Sequence, residues 1–170
     1  STSQARQLLS VGSAWSEKCD ALLDVGAGTG AVTAQLAPLA RRVLVTELSP
    51  AMIRRLEARG YECIVTPYLH PSSLPLKQFD LIACLNVLDR TDRPMSLLRH
   101  IHKLLTPSTG RLILAVVLPF SPFVECGAGF QAKPLEDLPM KGGRRGDDDV
   151  TFESAVQCFV QGVLEPLSFK

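Results

Sequence analysis

The sequence predicts an α/β fold, an open, mostly parallel twisted sheet with helices on both faces. Three observations predict it. Strand-like and helix-like segments alternate through most of the 170 residues. One strand runs straight into the tight glycine stretch Gly26-Ala27-Gly28-Thr29-Gly30. Residues 79–85 and 111–118 are almost continuously apolar, as strands buried on both faces are.

The elements follow in order. Residues 1–20 read as a lead-in, 21–25 as the first strand, 31–39 as a helix ended near Pro38, and 42–47 as the second strand. Ser49 caps a helix that has Pro50 at its first position and Gly60 as its stop. Residues 61–66 form the third strand, and a Pro-rich loop over 70–77 leads into the fourth at 79–85. The helix 94–105 is broken by Pro107 and Gly110, and the fifth strand follows at 111–118. Residues 119–149, rich in Gly, Pro and charge, are expected to be an excursion over the sheet edge with little regular structure. A last helix, 152–164, leads to 167–170 as the opening of a sixth strand. Nothing repeats, and a single domain over 1–170 is the expectation.

Composition narrows the function. With 46% hydrophobic residues the chain can bury a real core, and 18 Lys plus Arg against 17 Asp plus Glu leave a net charge of +1. No global field draws it to nucleic acid or to an anionic membrane, so the partner must be read from a site. No apolar run approaches a membrane span, and the N-terminus has neither a basic flank nor an apolar signal core, although the chain opens without Met. A soluble chain without a targeting segment is expected. Cys19, Cys63, Cys84, Cys126 and Cys158 are scattered without a C-x-x-C pair, which predicts neither a disulfide framework nor a metal site. His100 and His102, two residues apart on a helix, point to nearly opposite sides and cannot share one metal ion. The charged run 141–149 reads as a solvated loop, and His70 as a loop residue.

The stretch Leu22-Leu23-Asp24-Val25-Gly26-Ala27-Gly28-Thr29-Gly30 carries the chemistry. A glycine turn between a strand and a helix lets backbone N–H groups approach a ligand unobstructed. Gly26, Gly28 and Ala31 also satisfy the dinucleotide pattern. Two details favour S-adenosylmethionine: the acidic Asp24 ahead of the first glycine, where a pyrophosphate fold carries an apolar residue, and a third glycine only two residues after the second. Glu47, at the end of the second strand about nineteen residues beyond Gly28, is placed to take both ribose hydroxyls.

The loop Asp24 to Gly30, Glu47 and Phe79-Asp80-Leu81-Ile82 resemble motifs of Rossmann-like class I methyltransferases over nearly the whole chain. More narrowly, Thr46-Glu47-Leu48-Ser49, Cys84-Leu85-Asn86-Val87-Leu88-Asp89-Arg90 and Leu118-Pro119-Phe120-Ser121-Pro122-Phe123-Val124-Glu125 resemble the DREV family. That resemblance implies a protein-histidine methyltransferase acting on the pros nitrogen in His-x-His motifs with a small middle residue, in a family associated with endoplasmic reticulum and mitochondria. It implies cofactor contacts from Asp24, Gly26, Ala27, Gly28, Thr29 and Gly30, with Glu47, Leu48 and Asn86. Two departures stand out. Where relatives of the class carry an acidic residue after the third strand for the adenine amino group, this chain has Thr66-Pro67-Tyr68. The family's seventh strand, antiparallel between the fifth and sixth, is expected to be absent, leaving the domain C-terminally incomplete.

In an open α/β sheet ligands bind beyond the C-terminal strand ends where strand order reverses, which for this fold sets strands one and four side by side. Asn86 is therefore expected to face the methyl donor, with both an acceptor and donors to orient a substrate nitrogen or the cofactor. Asp89 suits the imidazole: a carboxylate accepting the distal N–H fixes the tautomer and stabilises the imidazolium that forms. The competing role for Asp89 is a helix cap or an ion pair, with Asp92 the better cap candidate ahead of Arg93-Pro94. Arg90, Pro119 and Phe120 complete the expected substrate contacts. The rival readings are a methyltransferase with another acceptor and a nucleotide-binding module or dehydrogenase without methyl transfer.

Overall fold

The computed structural model describes residues 1–10, 18–125 and 131–169, so Cys126 and Lys170 lie outside the described residues. The chain divides into two compact units, residues 1–85 with 103–113 and residues 86–102 with 114–170. The elements are α1 (Thr2–Leu9), β1 (Cys19–Val25), α2 (Thr33–Leu36), β2 (Ala40–Glu47), α3 (Pro50–Ala58), β3 (Glu62–Val65), β4 (Leu81–Leu85), α4 (Pro94–Leu104), β5 (Arg111–Ala115), β6 (Val124–Glu125), β7 (Gln131–Ala132) and α5 (Phe152–Phe159).

Five strands make one sheet in the order β3-β2-β1-β4-β5. β1 pairs in parallel with both β2 and β4, and β2 with β3. Leu22 and Leu23, with their register partners Leu44, Leu81 and Ile82, are fully buried. Consecutive strand residues point to opposite faces, so this burial requires a cover on both, as the apolar runs predict. On one face Leu22, Leu81 and Ala83 pack with Ala5 and Leu9 of α1 and with Leu36 and Leu39. Asp80 pegs the start of the central pair: its carboxylate accepts the N–H groups of Asp20 and Ala21 at 3.0 and 3.1 Å and the Thr106 hydroxyl at 2.9 Å.

Several boundaries differ from the sequence expectation. α1 was hidden in the lead-in, although Ser1 and Gln4 form a capping box whose spacing is visible in the sequence. The helix expected over 31–39 is α2 followed by a 3-10 turn, Ala37–Leu39, because Pro38 cannot donate to a continuing helix. Ser49 is the first residue outside α3, as expected, but makes no side-chain capping bond. The last helix changes hand-over at Val160: α5 continues as a π-turn, Val160–Leu164, and a 3-10 turn, Glu165–Leu167. The expected sixth strand is therefore a correction. Pro166 and the left-handed Ser168 close a turn in which the Ser168 and Phe169 N–H groups donate to Glu165 and Leu164 carbonyls, at 2.8 and 3.2 Å.

In the second unit the excursion after β5 is more ordered than its composition suggests. β6 and β7 form a short antiparallel pair. Phe120 donates its N–H to Gly143 O and accepts at its carbonyl from Arg145 N–H, both at 3.0 Å. Gly143 and Gly162 permit the close packing of this stretch: an added Cβ would lie 2.9 Å from Cys158 Cβ in the first case and 2.6 Å from Pro139 O in the second. The charged run is not simply solvated. Arg144 pairs with Asp137, donates to Leu138 O at 2.8 Å, and its N–H reaches Asp147 Oδ2 at 2.8 Å.

Candidate functional site

The glycine loop sits in the first unit and is shaped by the end of β2. Gly26 N–H donates to the Thr46 hydroxyl at 3.2 Å, Ala27 N–H to Thr46 O at 3.0 Å, and Gly28 N–H to Glu47 Oε2 at 2.8 Å. Gly30 N–H closes a turn onto Ala27 O at 3.0 Å. Gly28 has φ +55°, which L side chains adopt at a cost, and a Cβ there would meet nothing within 4 Å. Gly30 is the opposite case: its Cβ would lie 2.7 Å from Leu56 Cδ2. One glycine keeps space open in front of the loop while the other closes it onto α3.

Glu47 is where the sequence placed it, beside the loop. Its Oε1 also accepts from the N–H groups of Leu48 at 2.7 Å and Ser49 at 3.0 Å. Three backbone donors hold the carboxylate and leave part of its acceptor capacity for a ligand. Asp24 is buried, 3% exposed, and accepts the Thr33 hydroxyl at 2.5 Å. Burial raises its pKa to about 6 against the lowering effect of Thr33, with the Glu47 charge adding to the rise. Thr29 is exposed at the tip and Leu48 is an exposed apolar side chain at the end of β2. Sequence reasoning missed Thr46 and also Arg59, whose guanidinium donates to Gly30 O at 3.2 Å. Thr46 stands next to Glu47 in a quoted motif block, but nothing in the sequence marks its hydroxyl as the Gly26 acceptor.

The second unit carries the segment after β4. Asn86 has φ +56°, a left-handed conformation that Asn tolerates better than most residues, and its N–H donates to Ala115 O at 2.9 Å. The turn that follows closes when Arg90 and Thr91 donate to Val87 O at 2.9 and 3.0 Å. Asp89 is 4% exposed, and its Oδ1 has no hydrogen-bond partner among the described residues. An unsatisfied buried acceptor costs about 1–3 kcal/mol and calls for a reason. The capping role does not supply one, since α4 begins at Pro94. The cap bond shown there comes from Glu136, which accepts Ser96 N–H at 2.7 Å.

Around the turn, Phe123 donates its N–H to Asp89 O at 2.9 Å and carries the Arg90 guanidinium 5.3 Å from its ring centroid. Phe120, expected as a substrate-facing wall, is 1% exposed, with Arg144 over its ring at 5.9 Å. Pro119 beside it is half-buried. Ile101 is fully buried between His100 and His102, and the His102 ring meets Phe169 edge-on at 5.1 Å. His70 caps the short 3-10 turn Pro71–Ser73 by accepting Ser72 N–H. No group of residues able to hold a metal ion occurs among the described residues, and no helix there is long and apolar enough to cross a membrane.

The DREV methyltransferase family model matches residues 1–170. The chain belongs to the DREV methyltransferase family. Among solved structures it is similar to an amino pentose methyltransferase of calicheamicin biosynthesis from Micromonospora echinaspora, described with bound S-adenosylmethionine, at 24% identity and a TM-score of 0.56. That match covers 69% of this chain and 50% of the other. It is also similar to the YcgJ protein of Bacillus subtilis, at 17% identity and a TM-score of 0.54, over 66% of this chain and 48% of the other. The DREV chain spans about half the length of these two proteins. At such identities the likeness concerns the fold, which is the Rossmann-like class I methyltransferase fold that the resemblance of the loop, Glu47 and Phe79–Ile82 motifs implied.

Proposed function

We propose that this DREV chain is an S-adenosylmethionine-dependent methyltransferase that acts on the pros nitrogen of histidine in His-x-His segments of proteins. The loop supports the cofactor. Gly28 leaves open space, and the Glu47 carboxylate, already oriented by three N–H donors, offers its remaining acceptor capacity to ribose hydroxyls. Asp24, Gly26, Ala27, Thr29, Gly30 and Leu48 are the neighbouring contacts in this reading. S-adenosylmethionine supplies a methyl group made electrophilic by its sulfonium.

The observation that carries the acceptor side is the partnerless Oδ1 of buried Asp89. An N–H from the substrate would satisfy it. In a neutral imidazole, Asp89 taking the N–H of the distal nitrogen leaves the pros nitrogen with its lone pair free to attack. The new N–CH3 bond forms as the S–CH3 bond breaks, and the positive charge on the ring is stabilised by the carboxylate, which then receives the distal proton. The reaction needs alignment more than strong acid or base. Asn86 orients the reacting groups with its exposed amide, and Arg90 and Pro119 belong to the substrate side; Phe120, buried beneath Arg144, packs behind them and does not face a substrate. Histidine itself rests on the family resemblance, as do the endoplasmic reticulum and mitochondria as the compartments.

The test is single-turnover methylation of a His-x-His peptide at saturating cofactor, for the parent and Asp89→Asn, from about pH 6 to 9. Turnover is expected to fall by about a hundredfold or more while cofactor affinity hardly changes. Near-parental rates would return Asp89 to a structural role. Methyl transfer to a peptide whose histidines are replaced would point to another acceptor.

A further inference from the structure

Asp89 lies in a turn without helix or strand, so the direction of its carboxylate depends on what grips that turn. Its own bonds close only residues 87–91. At the far end, where the turn passes into α4, Arg93 N–H reaches the Thr91 hydroxyl at 3.4 Å, and a residue about forty positions on bonds both sides of the junction. Glu136 donates its N–H to Asp92 O at 2.9 Å, accepts Ser96 N–H on Oε2 at 2.7 Å and accepts the Ser96 hydroxyl on Oε1 at 2.5 Å. Ser96 is the third residue of α4, and its N–H has no acceptor within the helix. Glu136 therefore spans the junction, with one bond before Pro94 and two after it.

Its charge suits the place. Burial raises the Glu136 pKa, but the two bonds from Ser96, hydroxyl then backbone, and the charges of Arg99 and Arg93 outweigh this and lower it. The side chain thus presents an anion to a helix N-terminus, where negative charge is favoured. We propose that Glu136 is a positioning residue for the methyl-transfer reaction: by locking the junction between the turn and α4, it sets where the Asp89 carboxylate points. This rests on the role given to Asp89 above.

Peptide methylation and cofactor binding are to be measured for Glu136→Ala, Glu136→Gln, Asp89→Asn and the double variant Asp89→Asn with Glu136→Ala. Misplacement of a reacting group by about 1 Å can cost on the order of a hundredfold. Glu136→Ala is expected to lower kcat by about tenfold or more with KM for peptide moved less, and to leave cofactor affinity within about twofold. Glu136→Gln, which keeps an acceptor for Ser96 N–H, is expected to recover most of that rate. In the Asp89→Asn background the alanine change should cost almost nothing further, because Glu136 acts through a carboxylate already gone. Ser96→Ala, which removes only the hydroxyl bond, gives a smaller loss in the same direction and serves if Glu136→Ala unfolds. Parental kcat in both Glu136→Ala and Ser96→Ala, or full additivity with Asp89→Asn, overturns the proposal. Parental turnover in Asp89→Asn alone instead overturns the role of Asp89.

Discussion

The loop after β1 is served by two strand carboxylates, Asp24 in β1 and Glu47 at the end of β2, and the turn after β4 carries its own, Asp89, yet the two regions are held in opposite ways. Glu47 has three backbone donors, all within its own residue's neighbourhood or the adjacent strand end, and Asp24 has the Thr33 hydroxyl nine residues on. The side-chain bonds shaping the loop come from within the first unit, from Thr46 and Glu47 at the end of β2 and from Arg59 just after α3. In the second unit, Asp89 is left with a partnerless oxygen while its backbone is gripped by Phe123 and its junction by Glu136. A carboxylate held by its surroundings is oriented before a ligand arrives. One left unsatisfied in a buried place is worth more to the protein with a donor from outside than without one.

The largest effects should separate the two regions. Gly28→Val places a β-branched side chain at φ +55° and fills the space in front of the loop, so cofactor binding is expected to fall below detection by calorimetry. A Cβ there meets no protein atom within 4 Å, so the variant should still fold, with melting lowered only by the strain of a β-branched residue at positive φ. Unchanged cofactor affinity would remove the loop from the site. Asp89→Asn should do the reverse, sparing cofactor affinity and losing turnover; equal losses of cofactor binding in the two variants would erase the distinction.

Glu47→Ala comes next. Removing a charged acceptor of hydroxyl groups should weaken cofactor by about 1.5–3 kcal/mol. It also frees the N–H groups of Gly28, Leu48 and Ser49, so amide hydrogen exchange at these positions should quicken while β4 stays protected. Full affinity in this variant would mean that the ribose is held elsewhere.

The same contrast explains what could be read in the sequence. The loop was legible because its chemistry is local: glycine spacing, an acidic residue ahead of it and Glu47 at the next strand end all lie within one β-α-β stretch. The alternation of elements pointed to a parallel sheet, and the resemblance to class I methyltransferases to strands one and four lying side by side, as β1 and β4 do. At the turn, Asn86 and Asp89 could be singled out, but Glu136 could not. Its role comes from a bond to a residue forty positions earlier, and it sits in a Gly- and Pro-rich stretch whose composition argues for a solvated loop. Phe120 and Phe123 show the same limit. Both aromatics follow β5, and only packing decides that the first is buried under Arg144 while the second faces Arg90 and the Asp89 turn.

The smallest predicted effect concerns Asp24, the β1 carboxylate just ahead of the loop, which is held but poorly solvated. Its pKa stands at about 6 against an ordinary 3.8, chiefly through burial, so the native state binds a proton that the unfolded chain does not between those two pH values. Stability contributed by this group therefore rises as pH falls from above 6 towards 3.8, and the cost of the buried charge is fully present above 6. Asp24→Asn keeps an oxygen to accept the Thr33 hydroxyl but cannot ionise, so it should remove that pH dependence. At pH 8 the variant is expected to be more stable by about 1–2 kcal/mol, below the roughly 3 kcal/mol that the full difference in pKa would give at 1.36 kcal/mol per pH unit. At pH 4 the two proteins should be nearly equal. Denaturant melts at both pH values check it; Glu136, whose pKa is lowered from 4.5, costs stability as pH falls below that value, but equally in parent and variant, so it cancels from their difference. A parent-minus-variant difference that is the same at pH 4 and pH 8 would show that Asp24 binds its proton equally in the folded and unfolded chain, its burial offset by solvation that the Thr33 hydroxyl alone does not supply.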